Sequence, residues 1–180
     1  MRTVTRAGAI GLILGSAGLV VSCGGGTTAT ATERLWVSGI PTNAKEPLTA
    51  FVTMRSGEDK FLGAFFHGTL LRGSHDVFNW EPTGNGRARV EYLQDGHYAN
   101  LRFESCKPST GYDHCLLVTG GPTGTQRYQS RKRWVVRRPG RKRDATVGLF
   151  AVTLAELAED DEQLASALDA AAAVGQGPAS

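Results

Sequence analysis

The residues that could carry acid–base, nucleophilic or metal chemistry are scattered along this 180-residue sequence. No Gly-x-Ser-x-Gly, Walker or His-Glu-x-x-His motif occurs, and the histidines show no i, i+4 pairing. His75-Asp76 and Asp113-His114 are adjacent pairs, but adjacent residues of a strand point to opposite faces of a sheet. We therefore predict no catalytic residue, cofactor or metal site. The alternative is an exported hydrolase whose catalytic residues are dispersed along the chain.

The N-terminus has the pattern of an export signal. Residues 1–6 carry two arginines and no acid, and residues 7–21 form an apolar run shorter than the about 20 residues of a membrane span. The run ends in Leu19-Val20-Val21-Ser22-Cys23. This stretch resembles the lipobox of bacterial lipoproteins, which implies that residues 1–22 are removed and that Cys23 is acylated. The alternative is an ordinary secretory signal with a cysteine there by chance.

Residues 24–32 contain no charge and no large side chain, which is typical of a flexible tether. We expect a protein of the cell envelope, anchored in the membrane by lipid and facing the periplasm or the cell exterior. Loss of the two signal-peptide arginines lowers the net charge from +3 to +1. So small a charge does not favour a nucleic acid as partner.

Cys106 and Cys115 bracket the polar residues 107–114. Export favours oxidation, so we predict a disulfide that closes a hairpin loop and stabilises the fold by about 2–3 kcal/mol. Tyr112 lies near the tip of this loop, and an ordered loop binds at lower entropic cost. Tyr112 is therefore a predicted partner contact. The alternative, a reactive or metal-binding cysteine pair, lacks the usual zinc-ligand spacing.

Charge is divided along the chain. Residues 127–143 hold nine basic residues, whereas residues 144–180 hold seven acids and no base. From the basic stretch we predict contacts with an anionic envelope surface or an envelope protein. The predicted contact residues are Arg131, Lys132, Arg133, Arg137, Arg138, Arg141, Lys142 and Arg143. One alternative is a solvated face that the acidic helix partly neutralises. The other alternative is a nucleic acid whose bases stack on Trp134 and Tyr128. Export of the protein disfavours this alternative.

Turn residues separate eight runs rich in β-branched and aromatic residues. The predicted strands are 34–40, 47–55, 60–72, 76–81, 87–94, 97–106, 114–119 and 126–137. No connection between them is long enough for a crossover helix, so parallel pairing is not expected. The fold class is therefore all-β, an antiparallel meander of about eight strands that forms a small barrel or a sandwich, followed by a C-terminal α-helix.

One hairpin can be examined in detail. With Asp95-Gly96 as a two-residue loop, Tyr92 faces Ala99 and Val90 faces Leu101. All pairs on that face are then apolar, while the other face is mostly polar. A slip of one residue would mix the two faces.

The C-terminal part differs in kind from the strands. Thr153 and Glu156 match a capping box, and apolar residues recur from Leu154 to Ala172 at helical spacing, interrupted by Asp161. The predicted organisation is signal peptide 1–22, acylated cysteine and tether 23–32, β-rich domain 33–138, basic linker 139–144, helical segment 145–174 and disordered tail 175–180.

The function expected from these features is that of a non-catalytic binding or envelope-interaction module. Trp36, Trp80 and Trp134 each fall on a predicted strand, where core packing is the usual role. A tryptophan inside a barrel mouth would instead form a binding platform. The alternatives are the hydrolase already described and a structural accessory that docks on an envelope complex. An apolar cavity favours a ligand binder, whereas a filled core favours a docking protein.

Overall fold

The structure is a computed structural model that describes residues 31–56, 60–70, 72–121, 124–136 and 149–175. The signal peptide, Cys23, the tether as far as residue 30, the basic linker and residues 176–180 lie outside the described residues. The strands are β1 Leu35–Val37, β2 Leu48–Arg55, β3 Phe61–Gly68, β4 Gly73–Gly84, β5 Arg87–Tyr92, β6 Tyr98–Ser105, β7 His114–Gly121 and β8 Gly124–Ser130. The helices are α1 Leu149–Ala158 and α2 Glu162–Gly175.

The eight strands form a closed antiparallel barrel in chain order, which confirms the predicted all-β meander. Each strand pairs with the next, and β8 returns to β1 where Gln129 lies opposite Val37. Of the two predicted architectures, the structure is the barrel. Closure leaves every strand paired on both sides, so the sheet has no free edge.

The last predicted strand, 126–137, is wrong in its extent. β8 ends at Ser130, and a turn follows in which Trp134 donates its backbone N–H to the carbonyl of Arg131. The chain then pairs again, because Val136 donates to the carbonyl of Glu33. The turn is formed by Lys132 and Arg133, with no glycine or proline, so the usual turn residues did not reveal it.

β1, β2 and β3 are largely buried on both faces, and the two faces belong to different cores. On β2, Phe51 points into the barrel, whereas Ala50, Val52 and Met54 point outward. The outward core is covered by the two helices, and Phe66 of β3 stacks on Phe150 of α1 with ring centroids 4.9 Å apart. This double burial explains why residues 61–66 lack the alternation of a half-exposed strand.

The β5–β6 hairpin has the predicted faces but a different register. Val90 pairs with Ala99 and Ala88 pairs with Leu101, a shift of two residues from the predicted partners. The cause is a longer connection, since Tyr92 donates its N–H to the carbonyl of His97. A shift of two restores the same faces, because side chains alternate with a period of two. The pattern of burial therefore could not distinguish these registers.

The C-terminal segment forms two helices, and the predicted capping box at Thr153 is wrong. α1 already includes Leu149, so Thr153 lies inside the helix and is buried. The chain leaves the helical conformation after Ala158. Asp161 caps α2, because its Oδ1 accepts the backbone N–H of Leu164 at 3.2 Å.

Candidate binding site

The barrel interior is accessible at one end. This end, where β5 connects to β6 and β7 connects to β8, is called the open end. Phe65 and Leu101 are only half-buried there, and Gly124 is exposed. A pocket leads from the open end into the barrel, and aromatic rings form most of its wall. These include Phe51, Phe65, Phe78, Trp80, Phe103 and Tyr128.

The pocket is narrow because the aromatic side chains fill most of the barrel. Its free volume is about 40 Å³, enough for about three water molecules. Trp80 stacks on Phe103 with centroids 4.7 Å apart, and Phe51 meets Tyr128 edge to face at 4.9 Å. The pocket can therefore take a small apolar group without rearrangement.

A few polar groups interrupt this apolar wall. The indole N–H of Trp80 is buried and has no hydrogen-bond partner among the described residues. Burial and the neighbouring Tyr92 raise the pKa of the Tyr128 hydroxyl, so it stays protonated. Burial, with smaller contributions from the carboxylates of Asp76 and Asp95, raises the pKa of Tyr92. The pocket thus disfavours negative charge.

The opposite end of the barrel, where β6 connects to β7, is filled and is called the closed end. Ala31 is fully buried among the interior side chains. Its carbonyl accepts the Trp36 indole N–H and the Thr53 hydroxyl, both at 3.1 Å. The first described residue is therefore part of the barrel core at this end.

A buried carboxylate joins the helices to the barrel. Asp161 has no exposed side-chain surface, and both of its oxygens accept from Arg131 at 2.6 and 2.7 Å. Trp134 donates its indole N–H to Oδ2 at 2.7 Å, and Arg133 approaches the same oxygen at 2.9 Å. Burial raises the pKa of Asp161, but the hydrogen bonds from Arg131, Leu164, Trp134 and Arg133 outweigh it and hold the pKa below the ordinary value.

Sequence patterns did not identify Asp161 as a structural centre. The only signal was an acid that interrupts the apolar stripe of a predicted helix. An acid on the apolar face of a helix can be buried only where donors from elsewhere in the fold pair with it.

The predicted disulfide between Cys106 and Cys115 is present. It closes the loop that also carries Tyr112. The Tyr112 hydroxyl accepts the backbone N–H of Ile40 at 3.0 Å, and its ring lies edge to face against Trp134 at 6.1 Å. The side chain is half-buried and contacts the chain itself.

The basic stretch contains residues that pair with Asp161, residues that are exposed, and residues that lie outside the described ranges. Arg131 and Arg133 pair with Asp161, although half of the Arg133 side chain is exposed. Lys132 is exposed beside the disulfide loop, where its backbone N–H donates to Asp113. The other predicted contacts lie outside the described residues; they are Arg137, Arg138, Arg141, Lys142 and Arg143.

The three tryptophans have different surroundings. Trp80 belongs to the pocket wall, Trp36 to the filled closed end and Trp134 to the Asp161 cluster. Of the three, Trp80 is the tryptophan that lines the pocket, and it is 2% exposed.

The histidines of the described residues do not form a catalytic constellation. His97 pairs with Asp95 at 2.8 Å, and His67 lies 3.3 Å from the Thr49 hydroxyl, but neither pair is hydrogen-bonded to a third catalytic group. Burial and the nearby Arg34 lower the pKa of His114, so its imidazole is neutral at pH 7. The described part of the chain contains no cluster of three or more acidic, histidine or cysteine side chains suited to a metal ion.

Comparison with known proteins gives no relative: no family model, curated protein or solved structure matches this chain. Within the described ranges, no helix is long and apolar enough to cross a bilayer.

The Asp161 cluster makes a prediction about stability. Asp161→Asn keeps the helix cap but removes the charge, and should lower the free energy of unfolding by about 3–5 kcal/mol because two arginines lose their buried partner. Urea unfolding measures this change. The exposed neighbouring acid gives the control, and Asp160→Asn should change little.

The pH dependence of stability should follow from the same carboxylate. Its stabilisation is complete above the pKa of an unfolded aspartate, about 3.9. It is lost as the pH falls through the lowered folded value. The unfolding free energy of the wild type should therefore fall more steeply below about pH 4 than that of Asp161→Asn. Parallel curves would show that Asp161 does not hold the helices.

Proposed function

We propose that this protein is a lipid-anchored, exported β-barrel that acts as a non-catalytic binding module of the cell envelope. The supporting observation is the contrast between the two ends of the barrel. The chain enters at Ala31 in the closed end, whereas the apolar pocket reaches the open end. An acyl group on Cys23 would hold the closed end towards the membrane and leave the pocket accessible.

The length of the tether supports this orientation. Eight peptide units separate Cys23 from Ala31, and an extended chain covers at most about 3.5 Å per residue. The closed end would then stay within about 28 Å of the lipid surface. The sequence between the two residues has three glycines and no large side chain.

Charge at the closed end is compatible with an anionic membrane surface. Lys107 and Lys132 are exposed there, and part of Arg133 is accessible beyond its contact with Asp161. Each basic side chain near an anionic surface contributes about 1 kcal/mol. The paired Arg131 is only 12% exposed and is better explained as structural.

A second candidate function is docking on an envelope complex. One observation favours it, namely that aromatic rings fill most of the interior and leave about 40 Å³ free. No observation in the described residues favours the hydrolase. The ligand-binding and docking functions differ in whether an apolar molecule enters the open end.

The anchor is tested by Cys23→Ala. Without the acyl group, the protein should move from the membrane fraction to the soluble fraction, and labelling by an alkyne-tagged fatty acid should disappear. Cys106→Ala with Cys115→Ala should remain labelled and membrane-bound. If Cys23→Ala protein stays in the membrane fraction in high salt, the lipid anchor is wrong.

The orientation is tested with the Cys23→Ala protein on vesicles rich in phosphatidylglycerol. Lys132→Gln at the closed end should weaken vesicle binding about fivefold at low salt, because one favourable charge is lost. Arg72→Gln, which removes an exposed charge from the β3–β4 turn at the open end, should change binding little. Equal effects of the two substitutions would contradict the proposed orientation.

Ligand entry is tested by narrowing the open end. A Cβ at Gly121 would lie 3.9 Å from Leu101, an ordinary contact, so Gly121→Val should be tolerated and its methyl groups should obstruct the pocket. Ethylbenzene, a neutral probe, should bind the wild type and bind this variant about tenfold more weakly. Gly39→Val is the control, since no atom lies near that Cβ. A wild-type protein that binds no ethylbenzene would favour docking.

A further inference from the structure

A carboxylate faces the barrel interior near the open end. On β4, His75 belongs to the outer side, where its ring packs against Phe150 of α1 at 5.9 Å, and Phe78 belongs to the interior core. Side chains alternate along a strand, so Asp76, one residue from His75 and two from Phe78, points inward. Its register partner is Phe65, which lines the pocket. The carboxylate therefore lies beside an aromatic wall.

Asp76 lies one layer nearer the open end than Phe78. Two residues of a strand cover about 6.6 Å, which separates the carboxylate from the Phe78 layer along β4. Electrostatics supports the same position. After burial, the charge of Asp76 is the next cause that raises the pKa of Tyr92, and Tyr92 lines the pocket. The geometry and the electrostatic effect both indicate that Asp76 lies at the mouth of the pocket.

The Asp76 carboxylate is accessible and has no partner among the described residues. Its side chain is half-buried, but neither oxygen is fully buried, and no hydrogen bond or ion pair joins it to another described residue. Arg72 in the β3–β4 turn is exposed and does not pair with it. The nearby Asp95, in contrast, pairs with His97 at 2.8 Å. Asp76 is thus free to pair with a ligand.

The free volume limits the apolar part of that ligand. About 40 Å³ holds about three water molecules, which is room for about three or four carbon atoms of a chain. A chain that ends beside Phe78 and carries its polar group beside Asp76 spans about 6.6 Å. That distance corresponds to about five C–C bonds of about 1.5 Å in a zigzag. An unbranched chain of this length therefore satisfies both limits.

The charges decide which end of the ligand enters. The residues that line the pocket include no ionic side chain, so a charged end would lose its hydration there without compensation. At the mouth, Asp76 repels an anion and attracts a cation. The rings of Phe65 and Tyr92 add the attraction of a cation to an aromatic face. The apolar end therefore enters first. A lysine side chain of a protein partner has the opposite polarity, because its ammonium group would enter first.

We propose that the pocket binds a small amphiphilic cation, a primary alkylamine of about five carbons. Its chain packs among the aromatic rings, and its ammonium group pairs with the carboxylate of Asp76. This inference rests on the proposed binding function and specifies its ligand class.

The test compares three probes of nearly the same length and different charge, namely pentylamine, pentan-1-ol and pentanoate. At pH 7 the amine is protonated, since an alkylammonium resembles that of lysine with a pKa of about 10.4. Affinities come from titrations followed in ¹H–¹⁵N spectra of the soluble Cys23→Ala protein, which needs no detergent. Pentylamine should bind about tenfold more tightly than pentan-1-ol, because a charged hydrogen bond is added. Pentanoate should bind more weakly than the alcohol.

Asp76→Asn removes the charge and keeps the size of the side chain. It should lower the affinity for pentylamine about tenfold and change that for pentan-1-ol less than about twofold. Glu81→Gln is the matched control, because Glu81 lies on the same strand but is exposed on the outer face. This control should leave both affinities unchanged. Comparing the two probes within each variant removes any general effect of the substitution on the cavity.

A further measurement needs no substitution in the barrel. Raising the salt concentration should weaken the binding of pentylamine and leave that of pentan-1-ol unchanged, because salt screens the ion pair at the mouth. Equal responses of the two probes to salt would contradict the pairing with Asp76.

The outcomes separate this inference from the proposed function. If pentan-1-ol or ethylbenzene binds but pentylamine is not preferred, the cationic ligand class is wrong and the binding module stands. The same conclusion follows if Asp76→Asn leaves the preference unchanged or if Glu81→Gln reduces it equally. If none of these probes binds, both the ligand class and the binding function are wrong.

Discussion

The buried carboxylate of Asp161 is the interaction on which the arrangement of this molecule depends. An ionised carboxylate without solvent is tolerated only when donors surround it, and here Arg131, Arg133, Trp134 and the start of α2 supply them. The barrel contributes the basic residues and the helices contribute the acid. The basic and acidic stretches of the chain therefore serve in part to dock the helices on the barrel. Asp161 already neutralises part of the apparent basic surface.

The helices in turn make the barrel possible in this form. β1–β3 expose an apolar outer face that includes Leu48, Ala50 and Val52, and only a covering layer removes it from water. The interior is a separate core, filled at the end where Ala31 enters and incompletely filled at the other. The proposed binding role and the structural role thus lie in different parts of the molecule. The outer core and the closed end stabilise the fold, so the residues of the open end can vary without loss of the fold.

The sequence predicted the number and order of the strands because turn residues separate them, and it predicted the disulfide from two cysteines in a chain that we expect to be exported. It failed where more than one geometry satisfies the same pattern. Two registers of the β5–β6 hairpin bury the same faces, so Val90 was paired with Leu101 instead of Ala99. The helix break at Asp161 was missed because a helical stripe does not reveal which polar residue will be buried.

The sequence by itself determined the all-β class, the antiparallel order and the separation of a charged C-terminal part, since these follow from local pattern and connection length. Tertiary structure decided closure into a barrel, the partners of Asp161 and the place of each tryptophan. Trp36, Trp80 and Trp134 each fall on a predicted strand, but the indole of Trp36 donates to a carbonyl, that of Trp134 donates to a carboxylate, and that of Trp80 has no partner among the described residues. The physical reason is that the surroundings of a buried polar atom come from residues distant in the chain, which no local pattern specifies.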